Sequence, residues 1–193
     1  MSFSDKLSVE AVPVRFDKEG KPHVEISHYS EIDNAIWMDE RKDDAEYVTT
    51  LRHEMGHFVD AQMKRPSVLQ EFESAIQADK ELLNKSNIDN LLDEVGVGSV
   101  IYSRYISDIL SALTFNDSKI IDFYYSDGLP FYGHDILYWN GVQGPDNAVQ
   151  KEIFANLFAI FAENNDNVVT FADKWFPNMV CQFNNIVRKN SYG

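Results

Sequence analysis

The chain has 193 residues, 44% hydrophobic and 25% charged, a balance that suits one soluble globular domain and excludes fibrous and disordered classes. Its formal net charge is -14 with no cluster of Lys or Arg, which argues against a nucleic-acid partner. The acidity is read first as solubility and second as a preference for basic substrates or partners.

The N-terminal segment MSFSDKLSVEAVPVRF has no apolar signal core, and no run approaches the roughly 18 apolar residues of a membrane span. Cytoplasmic synthesis without a Sec signal is expected, with delivery by a dedicated machine or packaging into a particle left open. Cys181 is the one cysteine, so no disulfide forms within the chain. It sits in the apolar stretch 175–187 and is expected to be a buried structural thiol.

Residues 8–16 and 23–29 alternate and predict two strands, joined as a hairpin through the turn residues 17–22. A third short strand is expected at 34–38, so residues 1–40 form a small sheet. Asp43 with Glu46 three positions later is a capping-box pattern and predicts a helix over 43–65, ending before Pro66. On its wheel Val48, Leu51, Met55, Phe58 and Val59 form a core stripe, while His53 and His57 fall on another face. Ser67 with Gln70 predicts a second cap and a helix to about Leu83. A third helix is expected over 99–113, followed by loops to residue 146 with one apolar run at 120–125. Asp146 is expected to cap a helix to about Asn164, and a last helical segment spans about 172–189, broken or restarted at Pro177.

The pattern His53-Glu54-Met55-Gly56-His57 carries the chemistry. Histidines at i and i+4 on a helix project from one face and can converge on one zinc ion. Glu54, one place after the first ligand, is positioned as the general base that takes a proton from the attacking water. Catalytic zinc takes three protein ligands, and the residues after His57 do not continue to a third histidine in the metzincin manner. Glu152 is the expected third ligand. Its helix is apolar almost all round (Val149, Ile153, Phe154, Leu157, Phe158, Ile160, Phe161), and a buried carboxylate needs a partner or a metal. The small residues Ala148, Ala155 and Ala159 on its face would let the two helices approach closely.

HEMGHFVD followed by KEIFANLF resembles the HExGHxxD…ExFAExF pattern of lethal-factor-like gluzincin metallopeptidases. Between them, SDILSALT and YGHDILYW are similar to segments of phage minor-head-associated and bacterial toxin-type relatives, so the resemblance covers about residues 45–165. It implies zinc on His53, His57 and Glu152, Glu54 as base, and an α+β zincin-like fold. In that fold a small mixed or antiparallel sheet packs on the active-site helix, and a mostly helical half follows. It also implies a single peptidase domain over 1–193, with helices and loops over 66–145 and helices carrying the third ligand over 146–193. The family often has a second acid four residues after the ligand Glu, where this chain has Asn156.

Asp60, one turn beyond His57, is expected to orient an imidazole. Tyr138 and His134 are the preferred donors to the tetrahedral oxygen, with Tyr132 as competitor. His23 and His28 are expected on the surface of the N-terminal strands. The strand at Ile36-Trp37-Met38 is expected to flank the cleft and pair with substrate. The expected activity is endopeptidase action on a protein or peptide, in a toxin, effector or phage-particle setting, by a monomer that a cognate inhibitor protein can accompany. The alternative is a zinc-stabilised binding or structural module without catalysis.

Overall fold

A computed structural model describes residues 7–12, 14–16, 22–24, 26–85, 90–91, 94, 104–115, 134 and 136–191. Within them the chain is mixed α+β. Five short strands come first: β1 (Ser8–Ala11), β2 (Val14–Phe16), β3 (Pro22–Val24), β4 (His28–Ser30) and β5 (Ala35–Met38). The helices are α1 (Asp44–Gln62), α2 (Gln70–Lys85), α3 (Arg104–Thr114), the single turn α4 (Ile136–Trp139), α5 (Ala148–Glu163), α6 (Asp166–Trp175) and α7 (Pro177–Ser191). No helix among the described residues is long and apolar enough to cross a membrane.

The strands divide differently from the simple hairpin. β2 and β3 pair antiparallel, as the turn residues between them predict, but β1 and β4 join β5 in a separate mixed sheet of order β1-β5-β4. Each expected long strand is therefore two strands serving two sheets. The first ends as a strand at Ala11 and resumes at Val14, and the sequence between them includes a proline, which has no N–H to donate to a ladder. β5 is the central strand, parallel to β1 and antiparallel to β4, with Ala35, Ile36 and Met38 buried. Both its edges are taken, so it cannot pair with a substrate; β4 holds the cleft-side place expected of β5.

α1 begins as the capping residues dictate, with the Asp43 carboxylate accepting from the Glu46 N–H at 2.9 Å. Its buried face matches the expected stripe only in part, at Phe58 and at Val59, which packs against the core. Val48 is exposed, whereas Glu54, Gly56, Phe58 and Asp60 are buried. The helix lies between the sheet and α5, so its polar positions face a polar site rather than solvent. Asp60 is spent at the helix end. Its two oxygens accept from the Ser67 N–H at 3.0 Å and the Ser67 hydroxyl at 2.6 Å, fixing the 3₁₀ turn Pro66–Val68.

α5 is the hub of the helical half, with Ile153, Phe154, Leu157 and Ile160 fully buried. Its start differs from expectation. Asn147 is the N-cap, in the left-handed region at φ 59°, and its side chain makes no cap, which leaves Asp146 one position too early to serve. α6 begins at Asp166 under an Asn165 cap, earlier than expected, and α7 restarts at Pro177 as the proline predicts. Cys181 is exposed, not buried, because α7 turns Met179, Val180, Phe183 and Ile186 inward and Cys181 lies off that stripe. The apolar run 120–125, the start of the third helix at 99–103, and Tyr132 lie outside the described residues.

The contact that positions the site is α1 on α5. A Cβ at Gly56 would stand 2.6 Å from Ala155 Cα and 2.7 Å from its carbonyl oxygen, so the helices touch backbone to backbone. Gly56→Ala should force them apart, costing about 1–3 kcal/mol of stability and lowering metal affinity. Ala155→Gly should not rescue it, since the atoms met are backbone. Thermal melts and metal titration of both variants check this; a Gly56→Ala protein with wild-type affinity would contradict it.

Candidate metal centre

His53 and His57 stand one turn apart on α1, with their rings edge to face at 87°. Glu152 faces them from the first turn of α5. His53 Nε2 lies 3.2 Å from His57 Nε2 and 3.0 Å from Glu152 Oε2, and His57 Nε2 lies 3.3 Å from that same oxygen. The cluster is one of two groups among the described residues able to hold a metal ion.

Two features show that the three atoms converge on a common point. Glu152 Oε2 is buried and has no hydrogen-bond partner, although both imidazoles are close. It is near the nitrogens without lying along a good N–H direction, which is the relation among donors that share an ion. The second feature is the tautomer of His53. Asp108 Oδ2 accepts from Asn156 Nδ2 at 2.7 Å, which turns the amide oxygen of Asn156 toward His53 Nδ1 at 2.9 Å. That oxygen only accepts, so Nδ1 keeps its proton in either state, and Nε2 presents a lone pair inward once its own proton leaves.

The electrostatics agree. Burial by itself would pull His53 down, but the adjacent Glu152 carboxylate, with the charges of Glu54 and Asp108 adding, raises it to about 10. Glu152 is held well below the usual carboxylate range by the two histidines, against the effect of burial. The corner requires positive charge, which a proton supplies in part and a divalent ion supplies more fully.

The other group, Asp108, His134 and Glu152, is less suited to an ion because its oxygens are already used. Asp108 Oδ1 accepts from the His134 N–H at 3.1 Å and faces His134 Nδ1 at 3.3 Å. Burial lowers His134 and the Asp108 hydrogen bond raises it, with a net upward shift. The His134 ring stacks on Tyr138 at 3.8 Å, and the Tyr138 hydroxyl donates to Glu152 Oε1 at 2.5 Å. Burial, then the Glu152 charge, hold that phenol neutral by pushing it above its usual range. Gly144 shapes this corner: a Cβ there would stand 2.3 Å from the Tyr138 carbonyl oxygen.

Glu54 is 7% exposed, and its Oε2 accepts from the Tyr29 N–H of β4 at 2.9 Å. The edge strand thus fixes one carboxylate oxygen and leaves the other for chemistry. A cleft of about 820 Å³ is lined by all six sequence-predicted residues, His53, Glu54, His57, His134, Tyr138 and Glu152, together with Tyr29, Arg65 and Lys151. His28 is exposed, as expected, and borders the same cleft; the side chain of His23 lies outside the described residues. Asp60 does not orient an imidazole, because Ser67 takes both its oxygens.

Sequence reasoning misses Asp108. Its signal was present: an acid among Ile106, Ile109 and Leu110 needs a partner for the same reason that Glu152 does. No family model, curated protein or solved structure compared with the chain matches it.

Two predictions follow from the tautomer and the charge. Asp108→Asn should weaken metal binding about 10–100-fold, because the amide of Asn156 is no longer held in one orientation; unchanged affinity in a metal titration would show that His53 is oriented otherwise. In the metal-free protein the proton on His53 Nε2 persists up to about pH 10. Metal entry below that pH displaces it, so affinity should rise about tenfold per pH unit between roughly pH 6.5 and 8.5. Calorimetry in buffers of different ionisation enthalpy should find about one proton released, and an affinity independent of pH would refute the assignment.

Proposed function

We propose that the chain is a zinc-dependent endopeptidase of the lethal-factor-like zincin type. The observation that carries this reading is the size of the donor triangle beside Glu54. In a tetrahedral site the donors stand about 1.63 times the metal–ligand distance apart, so bonds of about 2.0–2.1 Å set edges of about 3.3–3.4 Å. The edges here are 3.0, 3.2 and 3.3 Å. Two neutral imidazoles and one carboxylate are the ligand types of gluzincin zinc.

Zinc, when bound, acidifies a water and polarises a carbonyl. The chain's own residues supply the rest. Glu54 takes the proton of the attacking water on the oxygen not held by Tyr29, and passes it to the departing amine. Tyr138 holds Glu152 through Oε1, which leaves Oε2 for the ion. His134 in its protonated form, which the Asp108 carboxylate at Nδ1 favours, would donate from Nε2–H to the oxygen on which charge develops. The outer edge of β4 borders the cleft through His28 and Tyr29; its Tyr29 N–H is given to Glu54, so an extended polypeptide there would be aligned by the remaining backbone groups of the strand. The open cleft and the buried, oriented Glu54 favour catalysis over a purely structural zinc site, where the coordination is closed.

Purified protein should contain about one zinc per chain. Glu54→Gln should keep that zinc while slowing cleavage of denatured protein substrates by about 10²–10⁴. Protein that neither contains nor takes up zinc would end the proposal. A Glu54→Gln variant that lost the metal would make Glu54 a ligand instead of a base.

A further inference from the structure

We infer that Lys151, with Arg65 beside it, forms a subsite for a substrate carboxylate, so the preferred substrate carries an acidic side chain or a free C-terminal carboxylate close to the bond that is cut. The inference rests on the peptidase reading above and names a substrate class for it.

The chain as a whole carries -14, yet the wall of the 820 Å³ cleft bears Arg65 and Lys151. Lys151 immediately precedes the ligand Glu152 and stands in the first turn of α5, where the helix dipole disfavours a cation. It is half-buried, and among the described residues nothing forms an ion pair or hydrogen bond with its ammonium. The surrounding acids are already engaged. Glu152 faces the two histidines and Tyr138. Asp60 is bound to Ser67, and Glu31 pairs with Arg65. Asp60, Asp146 and Glu152 act on Lys151 from a distance, without an ion pair. A half-buried ammonium with no ion-pair partner among the described residues, in a cleft open to solvent, is a place for an anion brought by the ligand.

Arg65 is held in position rather than swinging free. Its backbone is in the left-handed region at φ 59°, uncommon for a side-chain-bearing residue. Its N–H donates to the Asp60 carbonyl at 2.8 Å, and the rigid Pro66 follows. With its guanidinium paired to Glu31, Arg65 orients the rim, and Lys151 supplies the uncompensated charge. This local arrangement runs against the preference for basic substrates that the overall acidity suggests.

The test uses zinc-loaded Glu54→Gln protein as a non-cleaving binder. Peptides identical except for Glu, Gln or Lys at one scanned position, each with a free or an amidated C-terminus, are titrated by fluorescence anisotropy. A carboxylate should improve binding about tenfold over its neutral counterpart. Lys151→Met in the same background should remove that advantage with zinc content and neutral-peptide binding unchanged, and Lys151→Glu should favour Lys peptides. An advantage abolished by amidation alone assigns the carboxylate to the C-terminus; one kept after amidation assigns it to a side chain. No difference between Glu and Gln at any position with either terminus overturns the inference, as does an acidic preference that survives Lys151→Met. Wild-type protein on the same panel separates the two readings. Acidic peptides bound preferentially but never cut would sink the peptidase and leave the subsite, whereas cleavage without preference would do the reverse.

Discussion

How near α1 can come to α5 decides whether two histidines and a glutamate meet at one point. The side chains are short, and their donor atoms lie 3.0–3.3 Å apart. A helix separation larger by an ångström would leave Glu152 out of reach of an ion held by the histidines. Gly56 sets the separation, because with no Cβ it lets the Ala155 backbone fill the space. The same glycine therefore lies inside the metal motif for a packing reason, and its two neighbours in function, His53 and His57, inherit their relation to Glu152 from it. Everything else in the helical half serves to hold α5 still. Phe154 and Leu157 lock it against α2, α3 and α7, which turns a pairwise contact into a rigid one.

A close approach alone does not orient an imidazole. That task falls to a buried polar network running from α3 through α5 to α1, in which Asp108 fixes Asn156 and Asn156 fixes His53. Asp108 also takes the backbone N–H of His134, so one carboxylate on a third helix ties a candidate metal ligand to the residue proposed to assist the reaction. Asn156 stands where the resembled family often places an acid. The amide relays rather than replaces the negative charge, and Asp108 supplies it from across the helix interface. Such a network is favourable because its members are satisfied, whereas removing one leaves the others buried without partners.

Legibility in the sequence follows the range of the interaction. His53, Glu54 and His57 are readable because i, i+4 spacing is local and its chemistry is specific. Glu152 is readable because a carboxylate in an all-apolar helix has few explanations. Asp108 obeys the same rule, yet with Ser107 and Ser111 it makes a polar stripe that on a wheel looks like a solvent face. All three are buried: Asp108 and Ser111 meet polar groups of other segments, and the Ser107 hydroxyl has no hydrogen-bond partner among the described residues. The reversal in α1 has the same origin, with Val48 exposed and Glu54 and Asp60 inside. A binary pattern records polarity, not whether the polar side meets water or a site. The simple hairpin of 8–16 with 23–29 failed for a related reason: local pattern marks segments as strands, but which strands share a sheet depends on pairing between distant segments.

Charge shows the same separation of global from local. A net charge of -14 governs solubility and long-range encounter, and at physiological salt its field is screened within about 8 Å. Inside the cleft the relevant charges are few and near. Glu152 is neutralised by the histidines or by an ion, Glu54 is held by a backbone N–H, and Glu31 is paired with Arg65. With Glu152 and Glu31 facing cationic partners, Lys151 is the cation of the described cleft wall left without an ion pair among the described residues. A molecule acidic over its surface can therefore carry basic groups in its cleft, and a bound ligand feels first the residues within a few ångströms of it.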